Sequence, residues 1–263
     1  MTTDRSVAAW PLRLVLVAIA TLITSCASFV DHRVESIVER ELPCIMGPAE
    51  RYDVQVSGSA FGGTRFDSIQ VRGYRVARAE APIADSITIN MREVSIDPER
   101  RALTSIGHAH VELRFLPADL AEFLERSGRF ENVAVSFYAP SRILVEARPR
   151  IAGIALPAAA VLEARGRIVA RSEQLRIEFD DLRAGGFSAP GLWRGIVQLA
   201  INPLIDNKAF PVRSRFQAVT LQSEALLISA SGAGAASLEA RREQLSRARS
   251  QAHCPPRPEP SKI

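Results

Sequence analysis

Apolar and polar residues alternate through most of the chain between residues 52 and 230. Apolar side chains at every second position are typical of β-strands that bury one face and leave the other in water. Sets of this kind are Tyr52–Val56, Ile69–Val71, Ile87–Met91, Ala109–Phe115, Val133–Phe137, Ile143–Ala147, Leu175–Phe179, Phe216–Leu221 and Leu226–Ala230. The pattern predicts an α+β fold that is built mainly on an antiparallel sheet.

The alternation changes phase inside two of the predicted strands. The apolar positions shift by one residue between Val71 and Val76, and again between Met91 and Val94. Because a one-residue slip turns apolar side chains toward water, we expect a β-bulge or a bend at each of these places. Long strands with bulges predict a strongly twisted sheet that curls into a barrel or groove.

Three segments have helical rather than alternating spacing. An amphipathic helix is predicted over residues 29–42 and ends near Pro43, and a second helix covers Pro117–Arg126. The third, Leu192–Leu204, carries Arg194 as its single charge and is apolar over most of its circumference. Since such a helix cannot face water on all sides, we expect it to be enclosed by other parts of the protein.

The first residues have the features of an export signal. Arg5 and Arg13 precede the short apolar run Leu14–Ile23, which is typical of a secretory signal peptide. The run ends in Ile23-Thr24-Ser25-Cys26, which resembles the bacterial lipobox. We therefore expect residues 1–25 to be removed and Cys26 to carry a diacylglyceryl thioether and a further acyl chain, for which palmitate is the natural label.

An uncleaved membrane anchor is the alternative for the same segment. Residues 14–30 are seventeen uncharged residues, which is at the short limit of a membrane span. Both alternatives tether the protein outside the cytoplasm, facing the periplasm, with the arginines left inside. Ala27, which follows the lipidated position, resembles the outer-membrane lipoproteins of cells that have two membranes.

Cleavage before Cys26 leaves Cys44 and Cys254 as an even pair in an oxidising compartment. A disulfide between them is one reading. The other is that Cys44 is a small buried apolar residue and that Cys254 lies in a loose tail. The sequence leaves both open.

Charge and composition narrow the classes of partner. The formal net charge is +4, and of the 33 lysines and arginines only Lys208 and Lys262 are lysine. The basic residues are spread along the chain among 29 acids, without the basic stripe that nucleic-acid binding requires. Residues 233–263 form a separate C-terminal segment, an Arg-rich helix at Ala235–Ala252 and a Pro-rich tail.

Motifs for catalysis are weak throughout the chain. His108, His110 and Glu112 share one strand face and could approach a zinc ion, but the polar face of a strand explains them equally well. Gly186–Pro190 has Pro where a nucleophile elbow needs glycine. Gly232–Ser237 resembles a dinucleotide loop without the acid and second strand that follow such loops. We expect no enzyme activity, no cofactor and no metal.

The order of elements resembles the LmeA-like phospholipid-binding family of bacterial envelope proteins. The likeness spans about Asp31 to Gly232 and rests on the opening helix and on four segments: Val54–Gly58, Asp67–Gly73, Ala109–Leu124 and the closing Phe210–Leu221 with Leu226–Gly232. The resemblance implies a tubular lipid-binding domain over residues 26–232, in which a twisted sheet wraps a long apolar helix and leaves a groove for acyl chains. The lipobox and the Arg-rich C-terminal segment depart from the family pattern.

The expected ligand is a phospholipid or a similar acyl lipid, bound for lipid transport or envelope homeostasis. Ligand sites are concave and mainly apolar, whereas a fully packed core is the alternative explanation of the same apolar faces. A structural or scaffolding lipoprotein without a ligand is the alternative function, its protein partner unknown. The residues expected to line the groove are Ile69, Val71, Val111, Leu113, Phe115, Leu120, Phe123, Trp193, Ile196, Val197, Ile201 and Phe216.

Overall fold

The computed structural model describes residues 32–233 apart from 33, 37, 41, 44–45, 60–63, 79–80, 98–101, 152–153, 156, 158–160, 172, 189–190 and 207–214. At 97, 102–104, 151, 154–155, 192–193, 196 and 233 only the backbone is described. Within these residues the strands form two antiparallel sheets. The predicted predominance of antiparallel strands is therefore confirmed.

The first sheet has six strands in the order β1-β2-β3-β4-β13-β12. Each strand pairs with the neighbour that follows it in the chain, except where β13 returns to lie beside β4. The strands are β1 (Arg51–Ser59), β2 (Arg65–Arg78), β3 (Ala81–Asp97), β4 (Ala102–Phe115), β12 (Arg215–Gln222) and β13 (Ala225–Ala233).

The second sheet has seven strands, with the order β10-β9-β8-β6-β5 and two short strands beside this path, where β11 pairs with β9 and β7 with β6. Its strands are β5 (Phe130–Tyr138), β6 (Arg142–Ile151), β7 (Ile154–Ala155), β8 (Leu162–Arg171), β9 (Gln174–Ala184), β10 (Phe187–Ser188) and β11 (Ile205–Asp206). The single sheet curled around a helix that the sequence suggested is not found in the described residues.

Two of the three predicted helices agree with the structure. The first, α1, comprises the described helical residues between 32 and 46, so it continues past Pro43, where the sequence placed its end. The second, α2, is Pro117–Arg126 as predicted. It starts at a proline, whose missing N–H is not needed in a first turn, and Gly128 follows it with a φ of +71°.

The third helix, α3 (Gly191–Ile201), corrects the prediction of a long enclosed helix. It ends before the cis peptide bond between Asn202 and Pro203, because proline lacks the N–H that a further turn requires. Val197 and Ile201 are buried, whereas Leu199 on the opposite side is 77% exposed. The helix therefore lies against β9 with one face in water, and the expectation that it is enclosed was wrong.

The two predicted phase changes are confirmed as local irregularities of β2 and β3. Arg75 and Glu93 have φ values of +52° and +54°, in the left-handed region that residues with side chains seldom adopt. The strand register also shifts just after each of them, between Val76 and Arg78 and between Ser95 and Ile96. These irregularities return the apolar side chains to the inner face of the sheet.

The open edge of β1 is covered by α1. Two glutamate side chains of the helix reach the strand, where the N–H of Val54 donates to Glu39 Oε1 at 3.3 Å and that of Val56 donates to Glu35 Oε1 at 3.0 Å. These N–H groups point away from β2, so the sheet itself leaves them without acceptors. The carboxylates thereby replace a missing neighbouring strand.

The second sheet is protected at both edges in the same manner. Beside β9, the side-chain amide of Asn202 accepts from the N–H of Ile177 at 2.7 Å and donates to its carbonyl at 2.9 Å, as a paired strand would. Beside β5, the N–H of Val133 donates to Glu125 Oε1 of α2 at 2.8 Å. Side chains from helices and turns thus satisfy backbone groups at sheet edges.

The inner faces of the two sheets, α2 and α3 contribute to one apolar cluster. Register explains the first half of it, since Val71, Ile89, Val111 and Ala230 lie directly beside one another across four strands. The helix α2 contacts both β3 and β5 and so joins the two sheets. The core is therefore shared by the sheets rather than divided between them.

Candidate functional site

The residues predicted to bind lipid come together in the interior between the two sheets. Phe123 packs against this interior and is partly buried. Nine others are buried members of the shared cluster: Ile69, Val71, Val111, Leu113, Phe115, Leu120, Val197, Ile201 and Phe216. The side chains of Trp193 and Ile196 lie outside the described residues, although α3 carries both positions.

That interior is closed to water at the predicted positions. Ile69 and Phe115 have no exposed surface, and Phe216, the most exposed of the nine, is 9% exposed. Protein interiors of this kind are packed to the density of organic crystals. An acyl chain can enter here only if side chains rearrange or the two layers separate.

Several predicted sites fall outside the described residues. They are the lipidation site Cys26, the signal segment 1–25, the disulfide considered between Cys44 and Cys254, and the C-terminal segment from 234 onward. The run 14–30, which was considered as a membrane span, also falls there. In the part of the chain that the structure describes, no helix combines the length and apolar character needed to cross a membrane.

A groove of about 1320 Å³ crosses the first sheet. Its lining comes from all six strands of that sheet and from Glu173, in the turn between β8 and β9. Ile69 is the one predicted lipid-binding residue in this lining. The strand residues that line it and alternate with buried positions are Gln55, Ser57, Ser68, Gln70, Asn90, Arg92, His108, His110, Ser231, Arg215 and Gln217.

The strand register sets these polar side chains in a row. Gln55 lies beside Gln70, Gln70 beside Asn90, and Asn90 beside His110, with Ser231 next on β13. Gln70 Nε2 donates to Asn90 Oδ1 at 2.7 Å. A row of amides, hydroxyls and imidazole can hydrogen-bond a polar ligand. The apolar residues Val56, Ile69, Met91 and Ala109 alternate with this row in the groove lining.

The two histidines in the groove do not form a metal site in the described residues. His110 Nε2 is 3.4 Å from Glu112 Oε1, and the side chains of His108 and His110 lie on the same face of β4. Across the described part of the chain, no group of three histidine, cysteine, aspartate or glutamate side chains could hold a metal ion. The polar strand face explains the H-x-H-x-E pattern.

A charged cluster that the sequence did not reveal joins β2, β3, β4 and α2. Arg75 Nη1 donates to Asp119 Oδ2 at 2.7 Å, and Asp119 is 3% exposed. Arg114 forms an ion pair with Asp85, whose other oxygen is 4.0 Å from Arg75. The hydrogen bond to Asp119 raises the pKa of Arg75 above its usual value.

The sequence contains a local signal for the polar row but none for the charged cluster. The row could have been found by aligning the polar positions of neighbouring predicted strands, because hairpin register is a local property. The cluster joins residues 44 positions apart, so no local pattern marks Arg75 and Asp119 as partners. Such a pair is visible once the strands and helix are packed.

The fold and its interior define a β-rich protein in which two antiparallel sheets share one apolar layer. The family model described as LmeA-like phospholipid-binding matches residues 26–231, which is most of the chain. The chain therefore belongs to the LmeA-like phospholipid-binding family. Neither a curated protein nor a solved structure gives a significant match.

Proposed function

We propose that this protein is an envelope lipoprotein that binds a phospholipid between its two sheets and serves lipid transport or envelope homeostasis. The observation that carries the proposal is the family match over residues 26–231, whose description is phospholipid binding. The continuous apolar cluster supports it, because acyl chains need an apolar surface of this kind. The role is binding rather than catalysis.

In this proposal the two sheets enclose the acyl chains, whereas the sequence suggested a sheet wrapped around a long helix. The buried side chains of β2, β4 and β12, with α2 and α3, form the wall that contacts acyl chains. Because the wall is closed, lipid entry is coupled to separation of the layers. The polar face of the first sheet remains in contact with water.

Native mass spectrometry tests ligand binding directly. Full-length protein is purified, mixed with phospholipid, and examined for a non-covalent adduct of phospholipid mass. We expect one adduct that survives gentle activation and is lost on collision. A protein that stays free of adduct over a tenfold excess of several phospholipids contradicts the proposal.

A substitution at Val111 tests whether acyl chains contact the buried wall. Val111 lies on the inner face of β4 and is 5% exposed. Val111→Trp is expected to lower the stoichiometry of bound phospholipid because the indole occupies space that acyl chains need. Glu112→Trp, on the outer face of the same strand, is the matched control and should leave the stoichiometry unchanged. Equal stoichiometry in the two variants refutes an interior site.

The anchor is tested separately from the ligand. Cys26→Ser should abolish incorporation of labelled palmitate and release the protein from membranes, because the thioether requires the cysteine thiol. Fractionation of inner and outer membranes then tests the proposed location, which is the periplasmic side of the outer membrane in cells with two membranes. Label that persists in Cys26→Ser contradicts lipidation.

The C-terminal segment is proposed to contact anionic headgroups. The four arginines of its predicted helix, at 241, 242, 247 and 249, contribute about 1 kcal/mol each near a charged membrane surface. Truncation after Gly232 should weaken binding to anionic vesicles at low salt. Because truncation also removes Cys254, the comparison protein is full-length chain with Cys44 and Cys254 replaced by serine.

A scaffolding lipoprotein without a ligand is a second candidate, and the closed interior favours it. A core packed at every predicted wall position is what a purely structural domain needs. The two candidates differ in whether wild-type protein carries lipid, because the closed interior makes Val111→Trp destabilising under both. In a scaffold Val111→Trp should cost about 1–3 kcal/mol through overpacking, beside a wild type that carries no lipid.

A further inference from the structure

An exposed surface formed by the β9–β10 turn and the outward face of α3 is apolar and contains no acidic residue. We call it the apolar tip and define it as Val161, Gly185–Phe187, and the exposed face of α3 formed by Gly191, Gly195 and Leu199. Phe187 is 80% exposed, Leu199 77% and Val161 41%. Large exposed apolar side chains on one connected segment of the surface mark an interaction site.

Two uncharged stretches of the sequence meet at this tip through their described ends, residues 161–162 and 184–185. Residues 151–162 and 184–193 contain no charged residue. The structure joins them, because Leu162 pairs with Ala184 and the N–H of Gly185 donates to the carbonyl of Val161 at 3.0 Å. The tip thus gathers apolar surface from two segments that are separate in the sequence.

The segment from 182 to 205, which carries Phe187 and α3, has charge of one sign, and at its border Glu163 of β8 lies opposite Arg183. No acidic residue occurs from 182 to 205, and Arg194, which is exposed on α3, is the single charge from 184 to 205. An apolar surface with a cation and without acids complements an anionic bilayer, where apolar side chains enter the acyl boundary and arginine stays at the phosphates.

Glycines keep this surface open and adaptable. A Cβ atom placed on Gly186, Gly191 or Gly195 would meet no described atom within 4 Å, so the part of the protein that the structure describes does not cover these positions. Gly185 and Gly186 adopt φ values of +59° and +84° in the turn that presents Phe187. This conformation suits glycine and holds Phe187 away from the core.

We propose that the apolar tip inserts into the surface of a phospholipid bilayer that contains anionic lipid, with Phe187 and Leu199 below the phosphates and Arg194 among them. The tip docks the protein independently of Cys26 and of the C-terminal arginines. It also stands apart from ligand binding, since a bilayer contact at the tip and a lipid site between the sheets are separate surfaces.

A local probe tests insertion in the full-length protein, whether or not another segment anchors it. Phe187→Trp introduces an indole at the tip. Tyr138→Trp is the matched control, because Tyr138 is an exposed aromatic residue of the same sheet on β5, three strands away from β9. Each variant is mixed with vesicles of phosphatidylcholine and phosphatidylglycerol that contain brominated acyl chains, which quench indole on contact. Wild-type emission, from Trp193 and from Trp10 where residues 1–25 are retained, is subtracted.

We expect strong quenching and a blue shift for the indole at position 187 and neither for the indole at position 138. Adding Arg194→Glu to the first variant should raise the vesicle concentration for half-maximal quenching about fivefold in anionic vesicles, and leave it unchanged in phosphatidylcholine alone. Equal quenching at the two positions overturns the proposal. An indole at position 187 that vesicles do not quench also overturns the proposal. That result is expected if the tip binds a protein partner.

Discussion

Asp119 is a buried carboxylate in the first turn of α2, and its hydrogen bond to Arg75 joins α2 to β2. Arg75 is the residue at which β2 changes phase, with a backbone in the left-handed region. Buried charges are stable in proteins when they are paired and hydrogen-bonded. The pair therefore fixes α2 against the bulge that brings the apolar side chains of β2 back to the core.

Removing Asp119 tests this role. Asp119→Ala should lower the free energy of unfolding by roughly 1–3 kcal/mol, because Arg75 loses its acceptor but keeps contact with water. Chemical denaturation measures the change. Asp53→Ala, which breaks the exposed pair with Arg51, is the control and should change stability by less than about 1 kcal/mol. Equal losses in the two variants contradict the role of burial.

Tyr52 predicts a dependence on alkaline pH. Burial raises the pKa of Tyr52 from 10.0 to about 12, and its hydroxyl donates to the carbonyl of Gly47 at 2.8 Å. Because the folded state holds this proton more tightly than the unfolded state, its stabilisation is complete below pH 10 and is lost between pH 10 and 12.

Tyr52→Phe removes this ionisation while keeping the ring that lies over Gly73. The stability of the variant should fall less steeply between pH 10 and 12 than that of wild type, whereas below pH 9 the two curves should run parallel. Urea denaturation at fixed ionic strength measures both curves. If the stability of the variant falls as steeply as that of wild type, the titration belongs to another group.

At the scale of elements, the sheets depend on side chains that act as substitutes for a neighbouring strand. Glu35 and Glu39 perform this function for β1, Glu125 for β5 and Asn202 for β9. Unpaired strand edges invite association with other chains. These polar residues are therefore part of the fold, although most lie at its surface and on helices.

Exposing the β1 edge should destabilise the protein and promote self-association. Glu35→Ala with Glu39→Ala removes two acceptors from the N–H groups of Val54 and Val56, at a cost of about 1–3 kcal/mol together. Amide hydrogen exchange at these two positions should accelerate. Glu122→Ala on α2, whose weak contact with Arg126 is exposed, is the control and should leave exchange at β1 unchanged.

At the scale of the whole molecule, the shared core couples the two sheets. Ile69 of the first sheet and Ile177 of the second have no exposed surface and belong to the same apolar cluster. The chain crosses between the sheets through α2 and again after α3. Neither sheet can separate from the other without exposing its inner face to water.

One cooperative unfolding transition follows from that coupling. Ile69→Ala and Ile177→Ala should each lower stability by roughly 2–5 kcal/mol through lost burial and a residual cavity. Calorimetry should show a single transition that moves to lower temperature in both variants. If calorimetry shows two transitions and each substitution shifts a different one, the sheets unfold separately. Separation of the layers would then be an easy route for lipid entry.

The sequence by itself determined the strands, the two phase changes and α2, because each depends on the spacing of apolar side chains or on a proline within a few residues. Arg75 and Glu93 lie where the alternation shifted. The family could also be identified, since its segments follow one another in order along the chain. Composition alone argued against nucleic acid as a partner.

Only the tertiary structure decided how the apolar faces are used. Alternation in a strand indicates that one face is buried, but it does not indicate which element covers that face. The division into two sheets and the short, half-exposed α3 therefore could not be predicted from the sequence. The same holds for the pair between Arg75 and Asp119 and for the apolar tip, where Val161 meets Gly185. Contacts between distant segments depend on packing, and packing is a property of the folded chain.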